Sequence, residues 1–393
     1  MSPFKSDIIQ IHQNPELGYE EFKAHDNISA FLRAQGFDVK LHAYGLETSF
    51  VTEYGEGGRL INFNVEYDAL PGIGHACGHN LIATGSIAAF LGLVAAMKRH
   101  PIPGRVRLLG TPAEEGGGGK IKLINAGAYE GVDASLMTHP VAGTTFGRMG
   151  NATGISYGTC VASTKFRATF TGKPAHAAAA PHEGINALDA AVLSYNGTSM
   201  LRQQIKPEQR IQGVILEGGA KENIITPSSL LAYNVRAASL KDTRELQQRV
   251  MKCFEGAAIA TGCKVEFQEL VLLSPQASKS EELTTRRTNR YANLIPNRSL
   301  CSAYAEIMAG LGCPVICDLD RDPAPGSYST DMGTSTFTPC PRFKLTISRK
   351  RLARGARFPR PVHHSSSRQP IKSYTRVHSC CRIGGISSSD PHD

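Results

Sequence analysis

Val65-Glu66-Tyr67-Asp68-Ala69-Leu70-Pro71-Gly72-Ile73-Gly74-His75-Ala76-Cys77-Gly78-His79-Asn80 decides how the chain is read. An apolar, β-rich run from Leu60 to Val65 leads into it, and a Pro/Gly turn follows. Cys77 and His79 then stand one residue apart on a tight loop. A thiolate and an imidazole at that spacing can face one point. They can equally be a buried cysteine and a histidine capping the next helix, and Cys-x-His alone does not choose between the two.

Other ligand types stand at similar places, just past other apolar runs. Val106 to Leu109 reads as a strand and ends in Gly110-Thr111-Pro112-Ala113-Glu114-Glu115; Ala134 to Met137 reads as another and ends in Thr138-His139-Pro140. In an α/β sheet the C-terminal ends of parallel strands lie along one edge, where ligands bind. Cys77, His79, Glu115 and His139 are therefore expected to converge. Soft and borderline donors of this mix suit zinc best, with manganese or cobalt as alternatives.

The chain of 393 residues is long enough for two domains. Its net charge of +9 suggests a nucleic-acid binder until the charge is located. Twelve Lys/Arg and two acids lie from Thr334 onward. The first 333 residues hold 31 basic and 32 acidic residues, a net −1. With no aromatic-interleaved basic face, nucleic-acid binding is not expected. Ten cysteines without paired spacing, behind an N-terminal stretch unlike a secretory signal, suggest reduced thiols and a cytoplasmic setting. Leu81 to Met97 is nearly uncharged but only 17 residues long, includes Thr84, Gly85 and Ser86, and follows the candidate ligand loop; it reads as a buried helix, not a membrane span.

In chain order, Ile8 to Arg33 has helical spacing interrupted at Asn14–Gly18, and Phe37–Leu41 and Ser49–Tyr54 are strand-like. Strand, motif loop, apolar helix, strand, acidic loop, helix (Lys120 to Ala126), strand and histidine loop then follow. That βαβ rhythm predicts a mainly parallel sheet flanked by helices. The rhythm changes near Thr159. Ser163–Thr171 alternates, a helix runs from Ile185 to about Leu201, strands follow at Arg210–Leu216 and Leu230–Ala237, then a helix at Thr243–Thr261 and a strand at Cys263–Leu272. This is β-α-β-β-α-β, an inserted ferredoxin-like unit. The division expected is 1–162 and 275–333 for a discontinuous catalytic domain, 163–274 for the insert, and 334–393 for a basic, Ser/Arg-rich tail without packed structure. The run Gly116-Gly117-Gly118-Gly119-Lys120 is not a phosphate loop, because Ile121 stands where Ser or Thr is needed and two acids precede it.

Seven stretches in order resemble metallopeptidase family M20, in its amidohydrolase and aminoacylase-like branch. They are Ile11–Gly18, Glu66–Asn80, Thr111–Gly116, Thr138–Pro140, Gly172–His176, Glu222–Ile225 and Ser329–Gly333. The resemblance spans about residues 8 to 333. It implies a zinc-peptidase-like α/β catalytic domain with an inserted lid that forms a homodimer, and two divalent ions, with Cys77 bridging them, His79 and Glu115 binding one or the other, and His139 completing one site. It implies a small amide or dipeptide substrate, hydrolysed by metal-activated water with Glu114 as general base and later acid. By the same resemblance His176 reaches the active site, often that of the other subunit, and stabilises the oxyanion. Asn223 and Arg236 are candidates for holding the substrate's carbonyl and carboxylate, although a structural Asn turn and a strand-edge Arg are equally open. Asp68 either orients a ligand through a hydrogen bond or caps the turn before Pro71. The family has one more histidine ligand near its C-terminus. This chain leaves the pattern after Gly333, with His363 or His364 the nearest substitutes, so a second reading stands beside the enzyme: a family member impaired in catalysis that acts through partner binding.

Overall fold

The computed structural model describes residues 10–140, 151–269, 291–318 and 329–335; the tail from 336 on, with His363 and His364, and the end of the last strand expected in the insert lie outside the described residues. The first layer is a five-stranded sheet in the order β1 (Lys40–Leu41), β2 (Phe50–Glu56), β4 (Gly104–Gly110), β3 (Leu60–Val65), β5 (Ala134–Leu136). The expectation of a mainly parallel sheet needs correction, because β4 and β5 run parallel to β3 whereas β1–β2 and β2–β4 are antiparallel. The cause is a short turn. Gly57 and Gly58, at φ +63° and +54°, reverse the chain between β2 and β3, whereas a parallel return needs a crossover of about a dozen residues. β4 then inserts between them, parallel to one and antiparallel to the other. The three strands that carry the motif loops remain parallel, so their C-terminal ends share one edge.

Two helices cover this sheet. Helix α1 (Phe22–Ala34) buries Ala24, Ile28 and Leu32, and helix α2 (His79–Arg99) buries Ile82, Ala83, Ile87, Phe90 and Val94; both faces join Phe50, Val65, Val106 and Leu108 of the strands in one core. By length and composition α2 could cross a membrane. It packs instead along β3 and β4 with one face in the core, and its first turn carries His79. A short helix, α3 (Gly119–Asn125), follows β4 and the acidic loop.

The next sheet has the order β10 (Lys264–Glu269), β7 (Ala162–Thr171), β9 (Ser228–Ala237), β8 (Arg210–Glu217), every pair antiparallel. With α4 (Ala187–Leu201) and α5 (Leu240–Thr261) in between, the chain order is β-α-β-β-α-β. Asn186 accepts from Leu188 N at the start of α4, and Ser239 from Asp242 N at the start of α5, where each satisfies a backbone donor the helix leaves open. The core of this unit is aromatic: the Phe254 ring on α5 meets Phe166, Phe170, Tyr233 and Phe267. A third, two-stranded sheet pairs β6 (Gly154–Ile155) in parallel with β11 (Val315–Ile316), after α6 (Arg298–Gly310). A further short helix, α7, is Met332–Ser335.

Phe254 is fully buried, whereas Ile259 on the same helix is 84% exposed. Phe254→Ala should lower stability by about 3–5 kcal/mol and Ile259→Ala by no more than about 0.5 kcal/mol, read as a difference in urea-denaturation free energy.

Candidate metal centre

The Cys-x-His loop closes through Gly78. Its φ of +80° is left-handed, and a Cβ there would lie 2.9 Å from Pro140 Cγ. Glycine therefore allows both the turn that sets Cys77 and His79 on one side and the approach of the His139–Pro140 strand end. The acidic loop after β4 is held in a comparable way. Ala113 has φ +57°, rare for a residue with a side chain. Its N–H donates to Glu21 Oε1 at 2.7 Å, while Thr48 Oγ1 donates to Glu21 Oε2 at 2.8 Å. The chain then turns so that Glu114 and Glu115 extend toward the same cluster.

Cys77, His79 and His139 each offer a ligand atom within 4.8 Å of the others, as do His79, Glu114 and Glu115. Cys77 Sγ and His139 Nε2 are 3.6 Å apart. Tetrahedral zinc bonds of about 2.3 Å to sulfur and about 2.05 Å to nitrogen would separate such atoms by about 3.6 Å. His79 Nε2 lies 3.8 Å from Glu115 Oε1 and 3.9 Å from Glu114 Oε2. Each imidazole is already oriented on its other side: His79 Nδ1–H donates to Asp68 Oδ1 at 2.8 Å and His139 Nδ1–H to Pro140 O at 2.7 Å. A carboxylate and a carbonyl can only accept, so both rings turn Nε2 toward the cluster, where the neutral His139 presents a lone pair and His79 presents one once a bound cation displaces its proton. His79 Nε2 and Glu114 Oε1 are buried with no hydrogen-bond partner among the described residues. Buried orphans of this kind call for a ligand, and the donor set fits divalent cations.

The electrostatics follow from burial and from an excess of carboxylates. Burial, then the charges of Glu66 and Asp331, pushes Glu114 well above the ordinary carboxylate range. Burial drives His139 down to about 4, which keeps it neutral and able to ligate. Burial also opposes charge on His79, but the Asp68 carboxylate and its hydrogen bond outweigh it and hold His79 above its usual value. Asp68 binds the Glu115 N–H at 2.8 Å through Oδ2 as well, so it orients one candidate ligand and the backbone of another.

The described structure thus brings Cys77, His79, Glu114, Glu115 and His139 together, with Asp68 behind them. His176 and Asn223 are exposed and belong to paired loops of the insert: Ala177 N donates to Asn223 O, and His176 Nδ1 accepts from Ala178 N and Ala179 N. Arg236 is half-buried on β9, opposite Ser163.

Four residues with parts in the site, Lys120, Glu66, Asp331 and Tyr291, are given no role there by the sequence, although Lys120 ends the rejected glycine run and Glu66 and Asp331 fall within family-like stretches. Lys120 is fully buried, 2.5 Å from Glu66 Oε1 and 2.6 Å from Asp331 Oδ1. Glu66 precedes Asp68 by two, on the same side of an extended segment, a spacing that could have flagged it. Tyr291 bonds by its backbone to Ser163 of β7, while its hydroxyl donates to Glu114 O at 2.9 Å and accepts from Gly118 N at 3.1 Å, tying the insert to the acidic loop.

The family description for Peptidase family M20/M25/M40 matches residues 62–316. The chain belongs to this peptidase family. An M20 member acts as a hydrolase on amide or peptide bonds, and so does this chain. It is 42% identical over 336 residues to the Xaa-Arg dipeptidase of Mus musculus, covering 82% of this chain and 71% of that relative. To one of the p-aminobenzoyl-glutamate hydrolase subunits of Escherichia coli it is 31% identical over 323 residues, covering 78% of this chain and 62% of that relative. Among solved structures, an aminobenzoyl-glutamate utilization protein from Klebsiella pneumoniae superposes with a TM-score of 0.63 at 22% identity, over 84% of this chain and 86% of that one. The Bacillus subtilis YXEP protein, a dinuclear metal binding peptidase from M20 family, gives 0.59 at 20% identity, over 84% and 85%. At those identities the likeness shows the fold.

Glu21 is fully buried; burial and then the Asp68 charge raise it to about 8. A carboxyl group that binds its proton more tightly when folded stabilises fully below its unfolded value of about 4.5 and loses that contribution as pH rises through about 8. Glu21→Gln keeps an acceptor for the Ala113 N–H and does not ionise. The unfolding free energy of the unsubstituted chain should therefore fall relative to the variant between pH 4.5 and 8 in paired chemical denaturations.

Proposed function

We propose that the chain hydrolyses the amide bond of dipeptides or N-acyl amino acids at a centre of two divalent ions, zinc first, held by Cys77, His79, Glu115 and His139. The observation that carries this is the meeting of sulfur, imidazole and carboxylate donors from three loops, with His79 Nε2 and Glu114 Oε1 buried there and without a hydrogen-bond partner among the described residues. Similarity to an Xaa-Arg dipeptidase and to a p-aminobenzoyl-glutamate hydrolase supports the substrate class.

Bound divalent cations supply positive charge that acidifies a water molecule and polarises the scissile carbonyl. Glu114 Oε1 takes the proton from the attacking water and returns it to the nitrogen of the leaving amine. The burial that raises the proton affinity of Glu114 suits it for the second half of that cycle. Asp68 keeps His79 Nε2 facing the centre. Arg236 receives the substrate carboxylate, since a guanidinium fork binds two oxygens at once. Lys165, two residues from Ser163 on β7, supports it: a Cβ on Gly116 would lie 3.5 Å from Lys165 Nζ, so this strand runs beside the acidic loop. His176 donates to the developing oxyanion and Asn223 to the carbonyl. Because their loop is exposed on the insert, this reading has the insert act as a lid and as the contact between two copies of the chain. The working division is then 1–162 with 275–333 for catalysis and 163–274 for the lid.

Two measurements on the full chain test the reading: metal content by mass spectrometry, and release of free amino acid from a panel of dipeptides and N-acyl amino acids. About two ions per chain, and turnover that falls by about 10²–10⁴-fold in Glu114→Gln with metal content kept, are expected. One ion or none with no turnover favours the non-catalytic, partner-binding reading.

A further inference from the structure

A third group of acids, Glu66, Glu114 and Asp331, lies beside the donor cluster. Most of it is already filled by a cation of the chain's own. The Lys120 ammonium bonds Glu66 Oε1 and Asp331 Oδ1, and the Lys120 N–H bonds Asp331 Oδ2 at 3.0 Å. Both oxygens of Asp331 are therefore in use. Glu66 is different: one oxygen is held by Lys120, and the other, Oε2, is buried with no hydrogen-bond partner among the described residues.

That oxygen lies 3.5 Å from His79 Nε2. With His79 Nδ1 committed to Asp68, Nε2 and Glu66 Oε2 face one another, buried and without a hydrogen-bond partner among the described residues, at a spacing where one divalent ion, displacing any proton on Nε2, would satisfy both. Tetrahedral bonds of about 2.0–2.2 Å from one zinc ion to an oxygen and a nitrogen set those atoms about 3.3–3.6 Å apart. The formal charges point the same way. Glu66, Asp68, Glu114, Glu115 and Asp331 gather around the buried Lys120, with Lys165 facing Glu114 and Glu115 from β7, and an excess of buried carboxylates is strongly destabilising unless it is compensated.

We infer that Glu66 is a further metal ligand, sharing through Oε2 the ion that His79 holds, and that Lys120, braced by Asp331, is the positioning residue that aims it. This rests on the metal-centre reading and adds a donor to it. Asp331, far along the chain, thereby acts on the metal without touching it.

The test is zinc affinity, by competition with a chromophoric chelator on the full chain, together with the visible spectrum of the cobalt-substituted protein. Glu66→Gln keeps an acceptor for Lys120 but removes the anionic donor; Glu66→Asp keeps the charge while drawing the carboxylate back. Both should bind zinc at least 10-fold more weakly and shift the cobalt bands, and Lys120→Met should give a smaller loss of the same kind. If Glu66 is no more than the counter-ion of Lys120, the variants change the melting temperature while the folded fraction binds zinc within twofold of the unsubstituted chain with an unaltered cobalt spectrum, and the inference is overturned. Should Glu66→Gln not fold, Glu66→Asp decides. If the unsubstituted chain takes up neither metal, the metal-centre reading itself fails, an outcome distinct from normal uptake unaffected by Glu66.

Discussion

The Asp68 carboxylate is bonded on one side to a ring nitrogen of His79 and on the other to the backbone N–H of Glu115, both at 2.8 Å and away from water. These two bonds fix the tautomer of one candidate ligand and the position of another that comes from a different strand. They also keep Asp68 ionised. Burial alone would raise its proton affinity, but the His79 charge and hydrogen bonds pull it below the ordinary carboxylate value. The loops after β3 and β4 are thereby joined at two candidate ligands.

A second set of buried charges carries this order outward. Lys120 is fully enclosed and gains its charge stabilisation from Asp331 and Glu66, which hold it protonated against the cost of burial. Asp331 is pushed up to about 6 by burial even with Lys120 beside it, a sign of how dry the pocket is. The segment 329–335 is docked there by this pair and by the contact of Asn64 Nδ2 with Met332 Sδ at 3.1 Å. Tyr291 makes a parallel connection from the β7 strand to the acidic loop. Residues distant in sequence thus converge on a loop of a few residues.

Much of this is legible in the chain, for reasons particular to each element. Period-two and period-3.6 patterns place α2, β7, β9 and α5 within a few residues, and the C-terminal ends of three apolar runs point to Cys77, His79, Glu115 and His139. Sheet direction is not legible: a βαβ rhythm says nothing about β2, whose orientation depends on the Gly57–Gly58 turn and on which strand slots beside it. Lys120 is set aside with the glycine run that fails as a phosphate loop, since a sequence does not reveal that a lysine will be buried between two acids. Glu21 and Tyr291 act through contacts 92 and 177 residues away in sequence, and neither belongs to a short motif.

The most direct measurement is anomalous diffraction at the zinc edge from crystals of the zinc-loaded full chain. The account predicts strong peaks bonded to Cys77 Sγ at about 2.3 Å and to His79 Nε2 and His139 Nε2 at about 2.0–2.1 Å, with Glu115 on a neighbouring peak. Zinc bound elsewhere, or those side chains hydrogen-bonded among themselves with no peak between them, would contradict it.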